Sequence, residues 1–280
     1  MADSLAVPFT LYTIGIWVCL SIGYKPMIGF LERLGMVRAN YKGDSIPLGV
    51  GIAIPVIQVI SMPWSVFEGV ERVYLVQTCF LVLIAFVGWM DDRFGGTEAK
   101  GIKGHVSLWW KEGIWSTGMG KAATGIWVAI IVSTIYSKSV WEWILHAGLI
   151  VLLINQINLF DLRPGRAIKG FGVYLLILLV QAYASIPLIL CLPVVVTVLF
   201  LFREDIRGKA MLGDTGSNVL GFAMAFWLVI YASLFLKILI FSAGVLIQIY
   251  AEKKSISSLI QRTPVLYWLD MLGRRETRKP

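Results

Sequence analysis

The chain has 280 residues, of which 58% are hydrophobic and 15% charged, with a mean hydropathy of +0.77. An ordinary soluble domain is about 45–50% apolar, so this composition excludes a water-soluble globular fold and points to a membrane protein. The formal net charge of +8 does not require nucleic acid as a partner, because the cations fall where membrane topology places them.

A membrane-crossing helix needs about 20 mainly apolar residues. Nine stretches qualify, at roughly 5–24, 46–64, 73–90, 120–137, 140–159, 167–184, 186–202, 213–232 and 234–251. The first lacks a preceding basic segment and a small-residue cleavage site, so it reads as a retained span. Placing the connections between odd and even spans on one side, together with residues 253–280, gathers 22 of the 25 Lys and Arg there. The positive-inside rule makes that side cytoplasmic and the N-terminus external. The expected fold is therefore an all-α polytopic membrane helix bundle of about nine transmembrane helices. Residues 1–252 form the membrane domain, and 253–280 a basic cytoplasmic tail. Cys19, Cys79 and Cys191 all lie in apolar runs without metal-ligand spacing, which argues for inert packing residues.

The residues that can carry chemistry sit in the cytoplasmic connections. Asn40 to Gly51 combines Gly43, Pro47, Gly49 and Gly51, which fix turns and allow close backbone approach. At the end of the third span come Asp91 and Asp92. Paired carboxylates at a water boundary suit divalent cations, although solvated residues that merely end a helix look the same. The stretch 93–119 is rich in glycine and leads to Gly120-Lys121, a workable phosphate cradle without Walker spacing. His105 in that stretch is a candidate substrate contact, although a lone loop histidine is more often structural.

Asn155, Asn158 and Asp161 recur at i, i+3 and i+6, so they share a broad helix face. Asparagines within an apolar run are costly unless satisfied. Arg163, Arg166 and Lys169 follow and match a diphosphate. Between the seventh and eighth spans, Gly213 and Gly216 flank Asp214, and Thr215, Ser217 and Asn218 add polar groups at a helix start, where anions are favoured. Asp214 there is well placed to hold Mg²⁺ against a phosphate. Carboxylates, cations and Mg²⁺ together are the equipment of phosphoryl transfer.

As a set, these segments resemble the polyprenyl-phosphate N-acetylhexosamine-1-phosphate transferases. The matching pieces are the Pro47/Gly49/Gly51 loop, Gly88-Trp89-Met90-Asp91-Asp92, Asn155 to Asp161, and Met211-Leu212-Gly213-Asp214-Thr215-Gly216-Ser217, in family order over residues 40–252. The resemblance implies transfer of a sugar 1-phosphate from a UDP-sugar to an undecaprenyl-type phosphate, with release of UMP. It implies Mg²⁺ on Asp214 with help from the Asp91/Asp92 pair, one of which is base or nucleophile. Asp161 joins the catalytic set in that reading. Lys121, Asn155, Asn158, Arg163, Arg166, Gly213, Ser217 and His105 contact substrate. Implied partners are the lipid carrier, a nucleotide sugar and membrane lipids, with a homodimer as a candidate assembly and the plasma membrane as location. The chain departs from the family where Asp161 is followed by Leu162-Arg163-Pro164-Gly165 instead of Asp-Gly-x-Asp-Gly. It also carries no histidine-rich segment or tenth span near residue 253–280, which marks it as a divergent member. A transporter is the reading from another class, opposed by the scarcity of charge in mid-span. An inactive carrier-binding relative is a third, and the signature of CDP-alcohol phosphotransferases is absent.

Overall fold

The computed structural model describes residues 2–95, 116–182 and 185–274. His105 lies outside these residues. The helices are α1 (Ala2–Arg33), α2 (Ala53–Ile60), α3 (Glu71–Phe94), α4 (Thr117–Tyr136), α5 (Val140–Phe160), α6 (Arg166–Ala182), α7 (Leu188–Ile206), α8 (Gly213–Tyr231), α9 (Leu234–Lys253), α10 (Ile256–Arg262) and α11 (Pro264–Met271). Short 3-10 helices at Val50–Ile52 and Met62–Glu68 flank α2, and the second meets it at a 53° bend. The stretch expected as the second span is thus a broken helix.

The architecture is an all-α polytopic membrane bundle. By length and hydropathy, five described helices suffice to cross a membrane, or six if the bent pair is one span. The three helices that fall short of the nine expected have local reasons. α6 has 17 residues, α7 carries Arg203, Glu204 and Asp205 in its last turn, and α8 opens on the polar run Asp214–Asn218. These charged and polar turns are where the bundle builds its site.

α8 is the axis. All its residues from Gly213 to Val229 except Asp214 are buried, the polar Thr215, Ser217 and Asn218 among them, so the helix runs through the centre of the bundle. It packs against α3 and α5, with α6 and the Val50–Ile52 turn also against it. Glycines let these backbones approach: a Cβ on Gly88 would lie 2.6 Å from the Asp214 carbonyl, and one on Gly221 2.6 Å from Ile154 Cα. Gly51 and Gly216 meet backbone to backbone. α1 and α2 pack on α7, α4 on α3 and α5, and α9 on α5. Buried polar side chains tie the interior: Trp227 Nε1 donates to Gln77 Oε1 (2.8 Å), and Gln77 Nε2 to the Leu190 carbonyl (3.1 Å).

Two structures lie outside the spans. Val37–Ala39 and Ser45–Pro47 form an antiparallel hairpin with Arg38 opposite Ile46. Its second strand runs on to pair with the segment before α8, where Met211 N donates to the Pro47 carbonyl (2.8 Å) and Gly49 N to the Met211 carbonyl (3.0 Å). Within 253–280 the described residues form α10 and α11, and α11 folds back onto the start of α6. There Arg166 grips Asp270 at 2.8 and 3.0 Å.

Candidate active site

The start of α8 fixes the site. Gly213 adopts φ +73, a left-handed conformation that glycine tolerates, and a Cβ there would run into the Asp92 carboxylate. Asp92, at the end of α3, caps α8 from outside. Its Oδ1 accepts from Asp214 N (2.9 Å), and its Oδ2 accepts from Thr215 N (2.9 Å) and Thr215 Oγ1 (2.6 Å). Free amides at a helix start attract a carboxylate for two reasons, unsatisfied donors and the helix dipole. Asp91, one residue earlier, points elsewhere. Thr117 Oγ1 donates to its Oδ1 (2.5 Å), and Lys121 Nζ lies 3.1 Å from its Oδ2. Lys121 also pairs closely with Asp214 Oδ2, so one ammonium joins two carboxylates from different helices.

Asn158 completes the cluster from α5. With its amide turned to satisfy both ends, its nitrogen donates to Asp214 Oδ1 (2.8 Å) and Ser217 Oγ (3.1 Å), and its oxygen accepts from Lys121 (3.0 Å). Asp161 caps α5 beside the Gly213 amide. Desolvation pushes its carboxyl well above the ordinary range, and the neighbouring charges of Asp205, Asp214 and Asp92 push the same way.

Of the residues singled out by sequence, Asp91, Asp92, Lys121, Asn158, Asp161, Gly213, Asp214 and Ser217 therefore converge. Asn155 and Arg166 do not. Asn155 Nδ2 donates to Gln248 of α9 (2.8 Å), and Arg166 is buried against Asp270 with a further bond to Ser257 Oγ (3.0 Å). Arg163 is exposed on the turn after Asp161. A residue that sequence reading passed over is Asp205. Its buried Oδ2 accepts from Gly165 N (2.7 Å), binding the turn after Asp161 to the end of α7. Its signal was an acidic residue one turn after buried Leu201, on the same helix face. Thr117 gave only the weaker signal of a hydroxyl beside glycines.

Among the described residues no three His, Cys, Asp or Glu side chains gather as a metal cage. Mg²⁺ does not need one, since it is held by one or two carboxylates plus waters and substrate phosphates. Asp91 and Asp214 are such a pair, already converging on a cation, the Lys121 ammonium. Asp92 fits less well, because both its oxygens face the α8 amides. A cation-lined cavity of about 250 Å³ opens near the hairpin turn between Tyr41, Lys42, Ile206, Arg207 and Lys209.

Fold and site together define a polytopic helical membrane protein with a carboxylate–lysine–asparagine cluster at one end of its bundle. No family model matches the chain. It is 25% identical over 304 residues to the phospho-N-acetylmuramoyl-pentapeptide-transferases of Bacillus thuringiensis (strain Al Hakam) and Bacillus cereus (strains AH187 and G9842), an alignment covering 96% of this chain and 91% of each relative.

Proposed function

We propose that the protein is a membrane phosphoglycosyltransferase that moves a sugar 1-phosphate from a UDP-sugar to a polyprenyl phosphate. The observation that carries this reading is the convergence of Asp91, Asp214, Lys121 and Asn158 at one end of the bundle, from four helices. The similarity to transferases over nearly the whole chain supports it.

In this reaction a phosphate oxygen of the lipid carrier bonds to the β-phosphorus of the nucleotide sugar. The bond from that phosphorus to the bridging oxygen breaks, and the oxygen leaves on UMP. Asp91, freed from Lys121 when substrate enters, takes any proton on the attacking oxygen. Lys121 swings to the diphosphate and neutralises charge that grows on its oxygens. Asn158, itself bonded to Ser217, holds Asp214 in place, and Asp92 holds the helix start on which Asp214 sits. Asp214, with waters and the substrate phosphates, would hold Mg²⁺, which when bound supplies charge stabilisation for the transferring phosphoryl group. Arg163, exposed at the rim, meets the diphosphate, whereas Arg166 is assigned to Asp270. The site faces the cytoplasm of the plasma membrane, the side to which the cations point.

The test is turnover by purified protein with undecaprenyl phosphate, Mg²⁺ and a panel of UDP-sugars, scored by UMP release and lipid product. One sugar is expected to give product. No product with any nucleotide sugar, while the lipid phosphate still binds, would overturn the transferase reading in favour of an inactive carrier-binding protein.

A further inference from the structure

Helix α11 is built inside out for a helix in water. Its one buried residue is the charged Asp270, and its apolar residues face outward. Val265 is 67%, Trp268 62% and Leu272 53% exposed, and they recur at i, i+3 and i+7 along one face. Tyr267 and Leu269 beside them are also open.

That face cannot turn inward, because the opposite side is pinned. Arg166 and Arg274 both bond Asp270. Lys169 Nζ donates to the Leu269 and Asp270 carbonyls (3.0 and 2.6 Å), and Arg274 Nε to the Pro164 carbonyl (2.8 Å). The anchors come from the first turns of α6, and α9, long and apolar enough to cross a membrane, ends at Lys253 just before α10. Two bundle helices therefore end at the level of α11, which sets its depth at the membrane surface.

We propose that α11 lies in the headgroup layer of the bilayer, with Val265, Trp268 and Leu272 against the acyl boundary and an anionic lipid surface as its partner. Aromatic residues favour that layer, and a short helix with an apolar face lies in its plane. The charge is complementary: Lys253, Lys254 and Arg262 precede α11, and Arg275, Arg278 and Lys279 follow it in sequence. A second copy of the chain is the competing occupant, but in sequence these six cations outnumber the acids beside them, Glu252 and Glu276, so two copies would repel each other.

The full-length protein, with Cys19, Cys79 and Cys191 replaced by Ala, would carry a spin label at Trp268→Cys or, as an independent reporter of the same face, Val265→Cys. A label at Gln261→Cys, at the exposed end of α10, is the aqueous control. In phosphatidylglycerol-containing vesicles, the ratio of oxygen to nickel-chelate collisions at 268 and 265 is expected to exceed that at 261 several-fold. In pure phosphatidylcholine the ratio should fall. A ratio equal to that of 261 would overturn the proposal. So would an unchanged ratio in phosphatidylcholine, which would remove the anionic partner. Labels shielded from both reagents and close to a second label across molecules would assign the face to another copy instead.

Discussion

Asp92 accepts hydrogen bonds from the Asp214 and Thr215 amides and the Thr215 hydroxyl, so its loss should be felt first in the fold. Removing a helix cap costs about 0.5–2 kcal/mol, and a charge-assisted one lies at the upper end. Asp92→Ala is expected to lower the thermal midpoint in detergent and turnover together. Asp91→Asn should leave the midpoint near wild type and reduce UMP release by about 10²–10³-fold, the usual effect of deleting one group from a charged reaction centre. Equal thermal losses in the two variants would refute this division of roles. The pair stood out in sequence because Asp161 and Asp214 occupy matching positions at the ends of other apolar runs. Its division of labour did not, because it depends on which way neighbouring side chains leave the last turn of α3. Arg166 shows the same limit. Its cation matched a phosphate by type, but its partner Asp270 lies far along the chain, where no local pattern connects them.

At the level of elements, glycines decide how closely α8 is approached. A Cβ on Gly216 would lie 2.8 Å from Gly51 Cα and 2.6 Å from Leu212 Cγ, with backbone on one side that cannot yield cheaply. Gly216→Ala should cost about 1–3 kcal/mol of stability, as overpacking does. Gly15→Ala, where nothing lies within 4 Å, should be neutral in the same thermal assay. Apolar runs made most helices legible, and the glycines and polar residues of 213–232 mark that span as one for the bundle interior rather than the lipid surface, which is where α8 lies. α10 and α11 were not legible because charge and polar residues interrupt them. Their docking carries its own pH dependence. Desolvation opposes the charge of Asp270, yet the Arg166 hydrogen bonds and the Arg166 and Arg274 charges prevail, and its carboxyl titrates below the ordinary 3.8. A carboxylate depressed on folding contributes stability above its unfolded value and loses it as pH falls through the folded one. A label at Gln261 should therefore keep constant mobility from neutral pH down to about pH 4, and loosen below it. Asp270→Asn should be loose at every pH, and an unchanged spectrum in that variant would count against the anchor.

For the whole molecule, one asymmetry organises the rest. The carboxylate cluster, the hairpin and α11 all lie at one end of the bundle, the end that gathers most of the Lys and Arg. At the other end His146 Nδ1 meets Ser137 Oγ (2.8 Å), and Lys237, one of three cations there with Arg72 and Lys138, is tied into the bundle by donating to the Val229 carbonyl (2.8 Å). A translocating chain keeps its cations on the cytoplasmic side. If the cluster end is cytoplasmic, a nucleotide substrate reaches it directly and the lipid phosphate approaches from the inner leaflet. Single cysteines introduced at Trp141 and at Lys209 in a cysteine-free background distinguish the two orientations. Trp141, 81% exposed at the start of α5, should react with a membrane-impermeant maleimide on intact cells. Lys209, in the turn between α7 and α8, should react only after the membrane is opened. The reverse pattern would put the cluster outside, away from cytoplasmic nucleotides, and would remove the UDP-sugar from consideration whatever the geometry of Asp91 and Asp214.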